Sequence, residues 1–426
     1  MNLFKWFIPG IRVKRWVLVT FLGASLIILG LSLLIDAFFP RFLVSFFSNT
    51  TSILLIIILL ISGFIILARG IRNLINEILY AYLDENYETT YGTVVDVMMR
   101  QNVVNHAPRV VAIGGGTGLS SLLRGVKHIT HKITAVVTVA DDGGSSGRLR
   151  EMSIPAPGDI RNCIVALASA SDDMRKLFNY RYSEKDKAME GLVGHSFGNI
   201  FIATLTKITG SFEDAVRLAC RVLDVRGEVL PVTTCENIQL KAKLADGSLV
   251  FGESNIGLAG SKIEELILTP NCKITTNAEK AINNAEMIII GPGSLYTSIV
   301  ATLLPIGVKN AIRKSKAKVV YVANIMTQKN ETIDHTIADH IEVVEKYLGK
   351  GVINTVLVNS RDLPDDVLKR YRDEGADLAK IDRDRIDKMG YNIVYADLVY
   401  EDNMIPVRHD SYKVGLQLQR LILRDK

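Results

Sequence analysis

Three short loops hold most of the residues able to do chemistry. The first is Gly114-Gly115-Gly116-Thr117-Gly118, which ends the apolar run Val110–Ile113. The second, Asp141-Asp142-Gly143-Gly144-Ser145-Ser146-Gly147-Arg148, ends a run from Ile133 to Val139. The third, Pro155 to Asn162, brings Asp159, Arg161 and Asn162 together before another apolar segment. Glycines let backbone N–H groups approach a phosphate because no Cβ intervenes, and a helix starting there adds its positive end. A carboxylate at the end of the next strand is where a ribose diol is held. Gly118 follows Gly116 by two residues, so the G-x-G-x-x-G dinucleotide spacing is not met.

Further along, Gly194-His195-Ser196-Phe197-Gly198-Asn199 leads into a helix, with His195 and Asn199 as polar candidates for ligand contact. A second glycine centre, Gly291-Pro292-Gly293-Ser294-Leu295-Tyr296, follows Met287–Ile290, and two such cradles facing one crevice suit a diphosphate. Tyr296 is either a ring for a base or sugar or a core tyrosine. Asn324 and Thr327 follow the run Val319–Ala323. Asp141 and Asp142 can bind ribose or Mg²⁺ or serve as a base, and Arg161 either clamps a phosphate or pairs with Asp159. His335, Asp339 and His340 look metal-like but fit a solvated helix face better. Arg408-His409-Asp410 is polar enough to close a crevice. No lysine stands in the P-loop position after either glycine loop, and neither a Ser-His-Asp order nor H-E-x-x-H occurs; ATP hydrolysis is disfavoured.

To position these residues, strands must alternate with helices and end in functional loops. That pattern predicts an α/β fold, a doubly wound parallel sheet whose ligand lies beyond the carboxyl ends of the strands at the switch point. Glu228 to Phe251 reads as a small β insertion with an Asp246-Gly247 hairpin turn.

The N-terminal segment is different in kind. Trp16–Ile35 and Phe42–Ala68 carry no charge, and about twenty helical residues span a bilayer core of roughly 30 Å. Residues 1–72 therefore read as a transmembrane hairpin, 73–108 as an amphipathic connector and linker, and 109–426 as the α/β domain. Residues 1–72 hold seven Lys/Arg and one Asp, a net of +6 against +5 for the whole chain, leaving about −1 for the rest. The cations flank the two spans, which places both termini in the cytoplasm. The basicity is thus a topology signal and gives no support to nucleic-acid binding. Cys163, Cys220, Cys235 and Cys272 contain no C-x-x-C pair and suit a reduced domain with neither zinc nor a disulfide framework.

GGGTG, VADDGGSSGRLR, PxPGDIRN, GHSFGN, GPGSLYTS and ANIMTQ occur in that order, and together they resemble the YvcK family, also called gluconeogenesis factors. That family is related in fold to CofD, the phospholactate transferase of deazaflavin coenzyme synthesis. The resemblance implies UDP-N-acetylglucosamine as ligand, with the Tyr296 motif in its site. It implies a regulatory role in cell-wall precursor supply and cell shape under gluconeogenic growth, no required cofactor, and a partner such as the glutamine–fructose-6-phosphate amidotransferase. A homo-oligomer is expected. The rival it implies is a CofD-like transferase with a nucleoside diphosphate donor and Mg²⁺, for which Asp141, Asp142 and Asp159 are the candidate ligands. A nicotinamide-dependent oxidoreductase is the third reading, disfavoured by the glycine spacing.

Overall fold

The computed structural model describes residues 108–183, 187–400 and 406–424. They fall within one unit of the chain, Ala107–Lys426. The expected transmembrane hairpin and connector lie outside the described residues; among the described residues no helix is long and apolar enough to cross a membrane.

Seven parallel strands form the main sheet: β1 (Val110–Gly114), β2 (Ile133–Val137), β3 (Glu228–Pro231), β7 (Met287–Ile290), β8 (Lys318–Val322), β9 (Thr355–Asn359) and β10 (Asn392–Ala396). Their spatial order is β10-β9-β8-β7-β1-β2-β3. The chain starts in the middle, builds outward through β2 to β3, then returns to the other side of β1 with β7 and builds outward again. The switch point therefore lies between β1 and β7, whose residues pair in register from Val110↔Met287 to Ile113↔Ile290. Every residue of β1, β7 and β9 is buried, as a parallel sheet covered on both faces requires.

Between β3 and β7 the chain makes a separate antiparallel sheet of β4 (Gln239–Leu244), β5 (Leu249–Phe251) and β6 (Ile263–Thr269), in the order β5-β4-β6. The Asp246-Gly247 turn joins β4 to β5 as expected, with the Ser248 N–H donating to Asp246 Oδ1 at 2.8 Å and Gly247 at φ +85°. Glu228 to Pro231 is not part of this insertion; it is the edge strand of the main sheet, pairing with β2 from Thr134↔Glu228 to Val137↔Pro231. Pro231 is tolerated there because an edge strand needs no donor on its outer side.

Candidate functional site

The helix Gly116–Val126 starts directly after β1, and a π-helix, Leu295–Val300, starts after β7. Their N-termini meet at the switch point. A Cβ at Gly118 would lie 2.5 Å from the Pro292 carbonyl oxygen and 3.0 Å from Gly293 Cα, so glycine is required for the two loops to touch. Gly293 and Asn324, just beyond β8, bind each other: the Asn324 amide donates to the Gly293 carbonyl at 2.8 Å, and the Gly293 N–H donates back at 3.5 Å. Gln328 Nε2 donates to Ser294 Oγ at 2.9 Å, while its Oε1 is buried and unsatisfied. Both glycine loops thus come together with Asn324 and Gln328, the latter closing the ANIMTQ motif.

Each helix start faces an internal carboxylate. Asp159, at the start of the helix Gly158–Leu167, accepts the Gly116 N–H, and a Cβ on Gly115 would lie 2.5 Å from Asp159 Oδ2. Burial raises Asp159 to about 6, the Gly116 bond opposes this, and Asp141 adds to it. At the π-helix, Glu331 Oε1 accepts N–H groups from Tyr296 and Thr297, both at 2.9 Å. Glu331 is buried, which raises its pKa against the pull of those two amides. This carboxylate arrives from a loop 35 residues away, so spacing alone could not have assigned it.

The aspartate loop divides its two acids between roles. Asp142 Oδ1 accepts from the Ser254 N–H at 2.9 Å and the Ser254 hydroxyl at 2.7 Å, fastening the short helix Glu253–Ile256 of the insertion to the main domain. Asp142 is therefore engaged structurally. Asp141 accepts the Gly143 N–H at 2.9 Å and stays beside Asp159 and Glu253. Glu253, absent from the sequence reading, is pushed up to about 9 by burial, then by Asp141 and Asp159.

Ser145 joins His195 and Asn199. Its hydroxyl lies 3.0 Å from His195 Nδ1 and accepts from Asn199 Nδ2 at 3.1 Å; Asn199 Oδ1 is left buried without a partner. Burial and the neighbouring Arg148 and Arg181 lower the His195 pKa, so the ring is neutral near pH 7. Arg161 binds the Ser196 hydroxyl at 2.5 Å and Asn162 Oδ1 at 2.8 Å, with Nε unsatisfied. Ser146 is buried, and a Cβ at Gly158 would lie 2.7 Å from its hydroxyl; Gly147 packs on the Asp142 carbonyl.

Two expected contacts are placed elsewhere. Tyr296 belongs to the core: it is 3% exposed, its hydroxyl donates to the Ile263 carbonyl at 3.2 Å, and its ring meets His335 edge-on. Thr327 is 5% exposed and exchanges hydrogen bonds with the Asp377 backbone at 3.1 and 2.8 Å. His335 and His340 do not form a solvated face; they are 3% and 0% exposed, with His340 lowered to about 4 chiefly by burial. Asp339 completes a capping box with Thr336 instead of joining them at a metal.

Beside the crevice, a cavity of about 570 Å³ lies between the first helix and the loop before the C-terminal helix Ser411–Arg424. Ser121, Arg124, Tyr400, Arg408, Ser411 and Tyr412 line it. Arg124 donates to the Ser121 hydroxyl at 3.1 Å, and its pKa is lowered by burial and by Arg408. Neither arginine forms an ion pair among the described residues, and Asp410 is the one carboxylate among the residues lining the same wall. His409 anchors this loop to the sheet through the Ala323 carbonyl, one residue before Asn324. A larger hollow of about 1,050 Å³ opens at the opposite end of the strands, near Arg109, Lys132 and Glu228, where there is no glycine loop.

A parallel sheet that reverses direction at a switch point flanked by two glycine loops defines a Rossmann-like, doubly wound α/β protein. The family model for 2-phospho-L-lactate transferase CofD matches residues 110–399. The gluconeogenesis factor of Bacillus subtilis is 44% identical over 318 residues, covering 74% of this chain and 98% of that protein. A Clostridium acetobutylicum relative, provisionally given the same name, is 39% identical over 436 residues, covering 100% of this chain and 93% of its own. The solved structure of a UPF0052-family protein from Bacillus halodurans superposes with a TM-score of 0.69 at 41% identity, covering 72% of this chain and 98% of that one. The chain belongs to the CofD-like gluconeogenesis factor family.

Proposed function

We propose that the switch-point crevice binds a nucleoside diphosphate sugar, UDP-N-acetylglucosamine, and that the protein is a sensor regulating cell-wall precursor supply and cell shape under gluconeogenic growth. The observation that carries this reading is the first glycine loop, whose Thr117 and Gly118 amides lie in the first helical turn, where no carbonyl of that helix reaches them. Arg124 and Arg408, in the adjoining cavity, add the positive charge that a diphosphate needs. Family membership supports the regulatory role, acting on an enzyme such as the glutamine–fructose-6-phosphate amidotransferase. The N-terminal runs would tether the domain to the cytoplasmic face of the membrane.

A CofD-like transferase is the second reading, favoured by the carboxylates of Asp141, Asp159 and Glu253 converging on the crevice. Oxygen donors of this kind suit Mg²⁺. Among the described residues no three carboxylate, histidine or cysteine groups form a protein-only metal cage, so Mg²⁺ would be held by one or two of these carboxylates together with the donor's phosphates. Calorimetric titration of the full-length protein with UDP-N-acetylglucosamine, GDP and NAD, with and without Mg²⁺, separates the readings. The sensor binds the UDP-sugar without turnover; product formation, or Mg²⁺-dependent binding of GDP alone, would make the protein a transferase.

A further inference from the structure

The insertion β4–β6 leaves the main sheet and returns to it on two neighbouring stems, residues 232–238 and 270–275. Two contacts bracket these stems. On the insertion side Gln239 pairs with Thr269, and on the main-sheet side the Thr275 N–H donates to the Val232 carbonyl at 2.9 Å. Counting inward from both ends of this antiparallel bracket brings Cys235 opposite Cys272. The Cys272 thiol donates to the Pro270 carbonyl at 3.2 Å and is close enough to Cys235 for the two groups to act on each other electrostatically. Both are free thiols; Cys272 is buried, while Cys235 is half-buried between the exposed residues Thr234 and Glu236.

We infer that Cys235 and Cys272 form a redox clasp, a dithiol that a small-molecule disulfide converts into a stem-to-stem disulfide. The Cys235 thiolate attacks one sulfur of the incoming disulfide, whose S–S bond breaks and releases one thiolate. The Cys272 thiolate then attacks the Cys235 sulfur of the mixed disulfide and releases the second. Two protein thiols are oxidised, one external disulfide is reduced to two thiols, and the two protons pass to the departing thiolates. Solvent access sets the order, because only Cys235 is reachable from outside. Burial pushes Cys272 up to about 12, so the closing step is slow at neutral pH and quickens as pH rises. Closure would fix the insertion that carries Ser254 to Asp142 and Glu253 to the crevice. The clasp itself is independent of which ligand that crevice takes.

The test uses reduced full-length protein equilibrated with oxidised glutathione at pH 8, then alkylated, digested and mapped by mass spectrometry. The clasp predicts a peptide joining Cys235 to Cys272, two fewer alkylated cysteines, and a melting temperature a few degrees higher, all reversed by dithiothreitol. Cys235→Ser should abolish the linked peptide and the shift while melting within about a degree of the reduced parent. A stable glutathione adduct left on Cys235, or both thiols still free when an exposed cysteine peptide in the same buffer has been oxidised, would overturn the clasp. A disulfide joining only Cys163 and Cys220 would overturn it equally.

Discussion

The two glycine loops look alike in sequence and differ in what occupies them. The loop after β1 opens a regular α-helix and offers the first-turn amides of Thr117 and Gly118 to the crevice, with Asp159 holding the Gly116 N–H alone. The loop after β7 opens a π-helix, whose Ser294 carbonyl accepts from both Ser298 and Ile299, and whose next two amides are both held by Glu331. An internal carboxylate already sits where an anion would dock on the second loop. The same local chemistry thus leaves first-turn amides open on one side of the switch point and closes them with an internal carboxylate on the other.

Four substitutions sharpen this contrast. Glu331→Ala leaves two buried donors without an acceptor and should lower stability by about 4 kcal/mol, measured by chemical denaturation. Gly118→Val drives a side chain into the Pro292 carbonyl and should cost about 3 kcal/mol by the same measurement. Asp142→Ala removes two bonds to Ser254 and should cost about 2 kcal/mol, with faster amide exchange across the insertion than in the main sheet. Glu253→Gln should have the opposite sign. Because the folded protein raises Glu253 to about 9, the protonated acid is the form the fold prefers, and its ionisation erodes stability as pH rises from about 4.5 to 9. The variant should match the parent near pH 4 and melt higher at pH 9, by about 2 kcal/mol after discounting for partial exposure. Equal stability of the two proteins at pH 9 would mean that Glu253 is not crowded by Asp141 and Asp159.

Much of the frame is legible in the sequence. Val110–Ile113, Ile133–Val139 and Met287–Ile290 are continuous apolar runs ending in glycine or aspartate, which is how strands of a parallel sheet buried on both faces must read. β3 is harder, because its four residues end in proline and its role as an edge strand depends on pairing with β2, a contact over ninety residues away. Crevice residues divide in the same way. Asp159, the first glycine loop and Gln328 lie in local motifs, whereas Glu253, on the short helix of the insertion, and Glu331 arrive by paths fixed only by tertiary packing. Tyr296 misleads as a ligand contact because its motif is local but its side chain turns inward to Ile263, and His335 and His340 mislead because a polar residue type says nothing about burial behind the Thr336–Asp339 capping box.

The most direct test of the contrast is UDP-N-acetylglucosamine titration of Gly116→Val beside Tyr296→Phe in the full-length protein. Gly116 has φ +66°, lies at the open loop and has little but Ser298 Oγ, at 3.3 Å, near its Cβ position, so valine strains and fills the cradle. Tyr296→Phe removes only the hydrogen bond to Ile263. Binding abolished by the first change and kept within about threefold by the second is the predicted result. Binding lost in Tyr296→Phe and retained in Gly116→Val would reverse the roles of the two loops.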